Sequence, residues 1–217
     1  PHSQMIVSDA PKSRISEAFR SIRTNLSFVK KLVKTIAITS SISGEGKTFV
    51  ALNLGGIIAM SGKKVVVIDL DMRKPKIHLG FNATNSKGMS NLLAGHYSIP
   101  DVLKKSNLEN LYYISAGPIP PNPSELILSD QFDEIIEKLK EDFDTVIIDN
   151  PPVGLVSDGV NVLAKVDVPI FVFKANYSKR HFISNLEEIA RPKEIKHLNI
   201  VLNAEMLSKN AYGYGYG

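Results

Sequence analysis

Three short segments of this sequence carry residues whose types and spacing suit phosphate chemistry. The first, Ser40-Ser-Ile-Ser-Gly-Glu-Gly-Lys-Thr48, sets small residues and two glycines ahead of a Lys-Thr pair. Such a loop lets backbone N–H groups converge on an anion while the helix that follows adds positive potential at its N-terminus. Lys47 is then placed to reach terminal phosphates and Thr48 to hold Mg²⁺. On this reading Ser43, Gly44, Glu45, Gly46, Lys47, Thr48 and Phe49 form the nucleotide-binding stretch. Ser41 departs from the G-x-x-x-x-G-K-[ST] pattern, standing where the first glycine would be. The competing reading is a glycine-rich strand-to-helix turn with a surface lysine.

The second segment, Asp69-Leu-Asp-Met-Arg73, puts two carboxylates and an arginine at the carboxyl end of a strand, where open α/β sheets bind their ligands. Asp69 and Asp71, two apart on extended chain, point the same way and can bind metal-bound water or accept a proton. Alone, either is a turn or helix cap. The third, Val146-Ile-Ile-Asp149-Asn-Pro-Pro152, is an apolar strand ending in an acid, the Walker B arrangement that sets a carboxylate near Mg²⁺. The three in this order are more specific than any one of them.

Elements able to position these segments are legible in the apolar pattern. Short β-branched runs at Thr35–Thr39, Val65–Ile68, Leu111–Ile114, Thr145–Ile148, Val168–Phe173 and Leu198–Leu202 alternate with longer helical stretches. Unbroken apolar runs belong to strands covered on both faces, and the intervening lengths suit crossover helices. The expected fold is α/β, a doubly wound, mostly parallel sheet with helices on both faces. Helices are expected over Thr48–Met60, stopped by Gly62, over Asp130–Lys140, and over Lys179–Ala190 ahead of Pro192. An added helix precedes the first strand at about 13–32, with Ile15, Phe19, Ile22, Leu26 and Val29 along one face.

Composition narrows the class. The chain has 217 residues, 43% apolar and 22% charged, which suits one globular domain and argues against disorder. No cysteine is present, so disulfide frameworks, thiolate metal sites and cysteine nucleophiles are excluded. The net charge of +4 is dispersed, and no nucleic-acid partner is expected. No apolar stretch approaches the roughly 20 residues of a spanning helix, so the fragment reads as soluble. Residues 1–4, ahead of Met5, read as a tag remnant. The domain is expected over 5–207. Residues 208–217 form a tail rich in glycine and tyrosine, expected to be flexible and to stop within or just after its tyrosine cluster.

At this point the sequence resembles the bacterial tyrosine kinases known as BY-kinases, of the deviant P-loop ATPase class that also holds partition and septum-positioning ATPases. The loop Ser41–Thr48 is similar to their Walker A, Val66–Pro75 to their second Walker A′ box, and Ile147–Pro152 to their Walker B. Gly117-Pro-Ile-Pro-Pro-Asn-Pro-Ser-Glu-Leu126 is similar to a further loop of the family, and the four together span most of the chain. Two features separate kinases from their ATPase relatives. Glu17, Arg20 and Arg23 match the family's E-x-x-R-x-x-R helix, and Tyr212, Tyr214 and Tyr216 resemble the start of its autophosphorylated cluster. Partition ATPases carry a signature lysine early in the loop, where this chain has Ile42 and Ser43. Asn150 departs from the family's usual Thr.

The resemblance implies a P-loop NTPase fold and transfer of the ATP γ-phosphoryl to tyrosine, with Mg²⁺ held by Thr48, Asp71 and Asp149. Lys47, Asp69 and Asp71 are the catalytic candidates, Asp69 accepting or orienting the phenol proton. A carboxylate of ordinary low pKa is a weak base, which favours orientation over abstraction. Glu17, Arg20 and Arg23 would assemble a ring, by resemblance an octamer, in which Tyr212, Tyr214 and Tyr216 are modified in trans. From spacing alone, the bland alternative is that the same three residues form intrahelical ion pairs. The family also implies a transmembrane activator domain or protein, protein-tyrosine substrates, a cognate tyrosine phosphatase, control of capsule or exopolysaccharide synthesis and export, and a place at the cytoplasmic side of the inner membrane. The rival readings are a partition-type ATPase switch and a nucleotide-binding adaptor without phosphotransfer.

Overall fold

The computed structural model describes residues 5–154, 158–190, 195 and 198–205. The expected tag remnant and Tyr212, Tyr214 and Tyr216 lie outside the described residues. Among those described, the strands are β1 (Thr35–Ser40), β2 (Val65–Asp69), β3 (Lys104–Lys105), β4 (Leu111–Ile114), β5 (Thr145–Asp149), β6 (Val168–Lys174) and β7 (Asn199–Asn203). The helices are α1 (Ile6–Asp9), α2 (Arg14–Val29), α3 (Lys47–Ala59), α4 (Ile77–Gly80), α5 (Met89–Leu93), α6 (Ile99–Val102), α7 (Pro123–Ile127), α8 (Asp130–Asp142), α9 (Asp158–Lys165) and α10 (His181–Ala190).

One sheet has the order β3-β4-β2-β5-β1-β6-β7, parallel throughout except for β3, which runs antiparallel to β4. All six strands read from the sequence form, within one residue at either end. β3 was not expected, because two adjacent lysines carry no apolar signal. The central strands β1, β2 and β5 are buried at every position, as their unbroken apolarity requires. Alternation of side chains divides the interior in two. Ala37, Ile68, Ile148 and Phe171 face α8 and α9 with Phe132 and Leu163, while Ile36, Val67, Ile147 and Val172 face α3 with Leu54. The expectation of cover on both faces fails at β7, where Ile200 and Leu202 are 57% and 53% exposed. β7 is an edge strand, and only its Val201 face packs inward.

α3 is apolar all round because it is buried all round, between the sheet and the N-terminal helices. Gly56 makes room there, since a Cβ on it would come within 2.7 Å of Val7. α2 is N-capped by Ser13, whose hydroxyl accepts the Ser16 amide at 3.2 Å, and lays Phe19 and Leu26 on the core. Ile15, placed on that face by periodicity, is instead largely exposed.

Candidate active site

The carboxyl ends of β1, β2 and β5 lie side by side, and parallel register fixes what meets there. Asp69 is the Cα partner of Asp149 between β2 and β5, and Ile38 is its partner between β1 and β5. The loop leaving β1 therefore arrives over two carboxylate-bearing strand ends. It enters α3 through Gly46, at φ 100°, and no side chain caps the helix. The amides of the first turn, with the helix dipole behind them, are left for an anion.

Lys47 and Thr48, the first two residues of α3, turn onto the acids. Lys47 Nζ lies 2.8 Å from Asp71 Oδ2 and 3.3 Å from Asp149 Oδ1, while the Thr48 hydroxyl donates to Asp149 Oδ2 at 2.6 Å. Burial alone would lower the pKa of the Lys47 ammonium, but Asp149 and Asp71 outweigh it and hold Lys47 above its ordinary range. Asp149 is pushed up, first by burial, with Lys47 and the Thr48 hydrogen bond working against the shift. Asp71 keeps one oxygen on Lys47 and accepts the Lys74 amide on the other at 3.1 Å.

Asp69 sits deeper. Its Oδ1 accepts the Asp71 amide at 3.0 Å and its Oδ2 the amides of Lys76 and Ile77, both at 3.1 Å. This carboxylate folds the segment after β2 back on itself. Burial first, then Asp149, push it up to about 8, so the expectation of an ordinary low pKa is corrected. It has gained the basicity of a proton acceptor in a place where both oxygens already serve the backbone.

The loop after β5 closes the other side. Gly154 N–H donates to the Ser41 carbonyl at 3.0 Å, and a Cβ at Gly154 would come within 2.3 Å of that oxygen. Asn150 Nδ2 donates to the Gly159 carbonyl at 2.9 Å, which fixes the amide and leaves its buried Oδ1 without a partner among the described residues. Arg73 ties the second segment to the proline-rich loop by donating to Ser124 Oγ at 2.9 Å.

Ser43, Gly44, Glu45, Gly46, Lys47 and Thr48 thus come together with Asp69, Asp71 and Asp149. Phe49 joins them through its backbone, since its ring packs edge-on against Phe19 of α2 at 5.9 Å. Glu17, Arg20 and Arg23 lie apart. Arg20 bonds Glu17 at 2.5 Å and the Pro11 carbonyl at 2.8 Å, and Arg23 bonds the Ile57 carbonyl at 3.0 Å, so in the single chain Glu17 and Arg20 pair within the helix while Arg23 ties α2 to α3. Sequence reasoning missed Tyr177, Ser178 and Asn203, all of which touch the loop. The one signal was a polar Asn closing an apolar strand.

The donor set suits a magnesium nucleotide. A hydroxyl and a carboxylate oxygen 2.6 Å apart, hard ligands with no sulfur or imidazole, match Mg²⁺, and glycine-backed amides beside an ammonium match polyphosphate.

A family model described as AAA domain matches residues 33–203. The tyrosine-protein kinase YwqD of Bacillus subtilis is 36% identical over 216 residues, covering 98% of this chain and 91% of that protein. Among solved structures, the kinase domain of Escherichia coli tyrosine kinase ETK superposes with a TM-score of 0.88 at 30% identity, covering 98% of this chain and 85% of that one. The chimerical protein CapA2B2 superposes with a TM-score of 0.87 at 37% identity, covering 93% and 90%. Structures such as a septum site-determining protein solved with Mg-ADP, 24% identical at a TM-score of 0.62, share the fold alone.

Proposed function

The chain belongs to the AAA domain family and, within it, to the tyrosine-protein kinases, and from that premise we propose how its residues carry out phosphoryl transfer. ATP is the phosphoryl donor and Mg²⁺ the resident ion. The observation carrying the proposal is the convergence of one buried ammonium, one hydroxyl and two carboxylates at the mouth of an amide-lined loop.

Thr48, Asp71 and Asp149 would hold Mg²⁺, which when bound takes up charge on the phosphate oxygens. The amides of Ser43 to Phe49 grip the triphosphate. Lys47, held charged by its acids, exchanges contact with Asp71 for contact with the terminal phosphates and neutralises what develops there. Asp71 faces the same opening and orients the acceptor side. Asp69 supports both by fixing the chain after β2; with its pKa pushed up to about 8 it would take the phenol proton only in its ionised form, and only if the Asp71 amide lets go of Oδ1. The catalysis is mainly positioning and electrostatics.

The acceptors are Tyr212, Tyr214 and Tyr216, reached in trans within a ring, octameric by family resemblance, built through Glu17, Arg20 and Arg23. Accumulated phosphate loosens the ring by like-charge repulsion. Around this core we place protein-tyrosine substrates, a tyrosine phosphatase, a transmembrane activator, a location at the cytoplasmic face of the inner membrane, and control of capsule or exopolysaccharide synthesis. Among the described residues no helix is long and apolar enough to cross a membrane.

Incubation with Mg-ATP followed by mapping of modified residues tests the reading. Phosphotyrosine on the tail is expected, and its absence with ATP turnover intact would favour a hydrolytic switch. Mixing an inactive chain bearing the tail with an active chain lacking it tests the trans step, which fails if the inactive chain stays unmodified.

A further inference from the structure

We propose that Tyr177 and Asn203 are positioning residues that set the phosphate-binding conformation of Ser43–Gly46, by holding two loop carbonyls outward so that the amides behind them face the ligand. The inference rests on reading this loop as the ATP phosphate cradle. It begins with the planarity of the peptide group, in which a carbonyl and the following N–H point in opposite directions. The Tyr177 hydroxyl donates to the Ser43 carbonyl at 3.0 Å, and the N–H of that same peptide is that of Gly44. Asn203 Nδ2 donates to the Glu45 carbonyl at 3.0 Å, and the N–H of that peptide is that of Gly46. Each carbonyl drawn toward its clamp turns the partner amide to the other side of the loop.

Backbone conformation agrees. Gly44 and Gly46 have φ of 95° and 100°, while Glu45 between them is not left-handed. Alternating handedness of this kind is what makes successive amides converge into an anion-binding concavity. The glycines also admit the clamps. A Cβ on Gly44 would come within 2.9 Å of the Tyr177 hydroxyl, and one on Gly46 within 2.1 Å of Asn203 Nδ2. Glycine at these positions therefore supplies both a left-handed φ and room for the side chains that hold it there.

The clamps are themselves fixed. Ser178 Oγ accepts the Lys174 amide at 2.8 Å, which directs its proton to the Glu45 carboxylate, and the other Glu45 oxygen accepts the Ile42 amide at 2.9 Å. Ala175 N–H donates to the Asn203 carbonyl at 2.9 Å, and Lys174 Nζ lies 4.9 Å from the centre of the Tyr177 ring. The turn after β6, the end of β7 and the loop form one hydrogen-bonded unit. Released from it, the Ser43 and Glu45 carbonyls are free to rotate inward, where an oxygen repels phosphate.

The test uses the whole chain with Tyr177→Phe, which keeps the ring and removes one donor, and Asn203→Ser, with Tyr97→Phe as a control remote from the loop. KM for Mg-ATP and kcat are measured on a tyrosine peptide, with calorimetric Kd values for ADP and adenosine. Loss of one such hydrogen bond should raise KM and the ADP Kd about three- to tenfold for either variant, with kcat within about twofold and adenosine binding unchanged. The control should match the parent. Unchanged KM and ADP affinity in Tyr177→Phe would overturn the proposal, as would equal losses for adenosine and ADP, since adenosine has no phosphate to misplace. If the parent chain itself bound no Mg-ATP, the reading of the site would fail. Parent binding with full binding by both variants would sink the clamp alone.

Discussion

Two clusters of charge in this chain behave oppositely. At the ends of β2 and β5 and the start of α3, Lys47, Asp69, Asp71 and Asp149 are buried and bond to one another or to backbone. On α2, Glu17, Arg20 and Arg23 lie nearer the surface and bond to their own helix or to neighbouring carbonyls. The buried cluster is dictated by strand register, which pairs Asp69 with Asp149 whatever else is present. In the helical cluster Glu17 and Arg20 are set by rotamers of long side chains in water, where alternatives cost little, while Arg23 is tied to the Ile57 carbonyl from a partly buried place. The first is a property of the single fold. The second can be exchanged for a neighbour's groups.

The harshest way to break this contrast is Lys47→Met. Phosphotyrosine formation should fall by at least about a hundredfold, because the variant removes the cation facing the developing charge. Stability should fall as well, by about 3–5 kcal/mol, since Asp71 and Asp149 lose a buried partner. Mapping of modified tyrosines and a denaturant titration read the two effects separately. Retained phosphorylation would show that the buried cluster is not the site.

Asp69→Asn sharpens the buried half further. A protonated carboxyl can still accept the Asp71 amide on its hydroxyl oxygen. An Asn amide group at the same place meets that N–H with another donor while its carbonyl serves Lys76 and Ile77. A loss of about 1–3 kcal/mol is expected on denaturant unfolding. The pH dependence follows from the same group. The native state keeps a proton on Asp69 up to about pH 8, whereas the unfolded chain releases it near pH 4. Asp69 therefore contributes stability that is fully present below about pH 4 and is lost as pH rises to about 8. The melting temperature of the nucleotide-free chain should decline across that window on account of this group, and the decline should flatten in Asp69→Asn.

The same division explains what could be read from the sequence. The central strands were legible because burial on both faces demands unbroken β-branched runs, and the acids ending β2 and β5 stand where such runs stop. β3 was not legible, being two lysines paired by what lies beside them. Ile200 and Leu202 misled because apolarity records a residue's chemistry and not whether anything covers it. The convergence of Lys47, Thr48, Asp71 and Asp149 was legible through local spacing. Tyr177 and Asn203 reach the loop from 134 and 158 residues away in sequence, a distance no local pattern encodes. The raised pKa of Asp69 was equally hidden, because it arises from burial and from a neighbour brought up by register.

The gentlest expected change lies on α2. Arg20 and Glu17 are 32% and 66% exposed in their side chains, so Arg20→Ala or Glu17→Ala should move the unfolding free energy of the single chain by less than about 1 kcal/mol. Arg23→Ala should cost more than Arg20→Ala, because Arg23 donates to the Ile57 carbonyl of α3 from a partly buried place and its loss leaves that acceptor unmatched. If the helix serves assembly, sedimentation should report smaller particles for Glu17→Ala and Arg20→Ala at unchanged thermal stability, and added salt should shift the parent the same way by screening the pairs. Parent and variants sedimenting alike would leave these residues as local ion pairs. A large fall in melting temperature for Arg20→Ala would erase the contrast itself, since the helical cluster would then be as much a part of the single fold as the buried one.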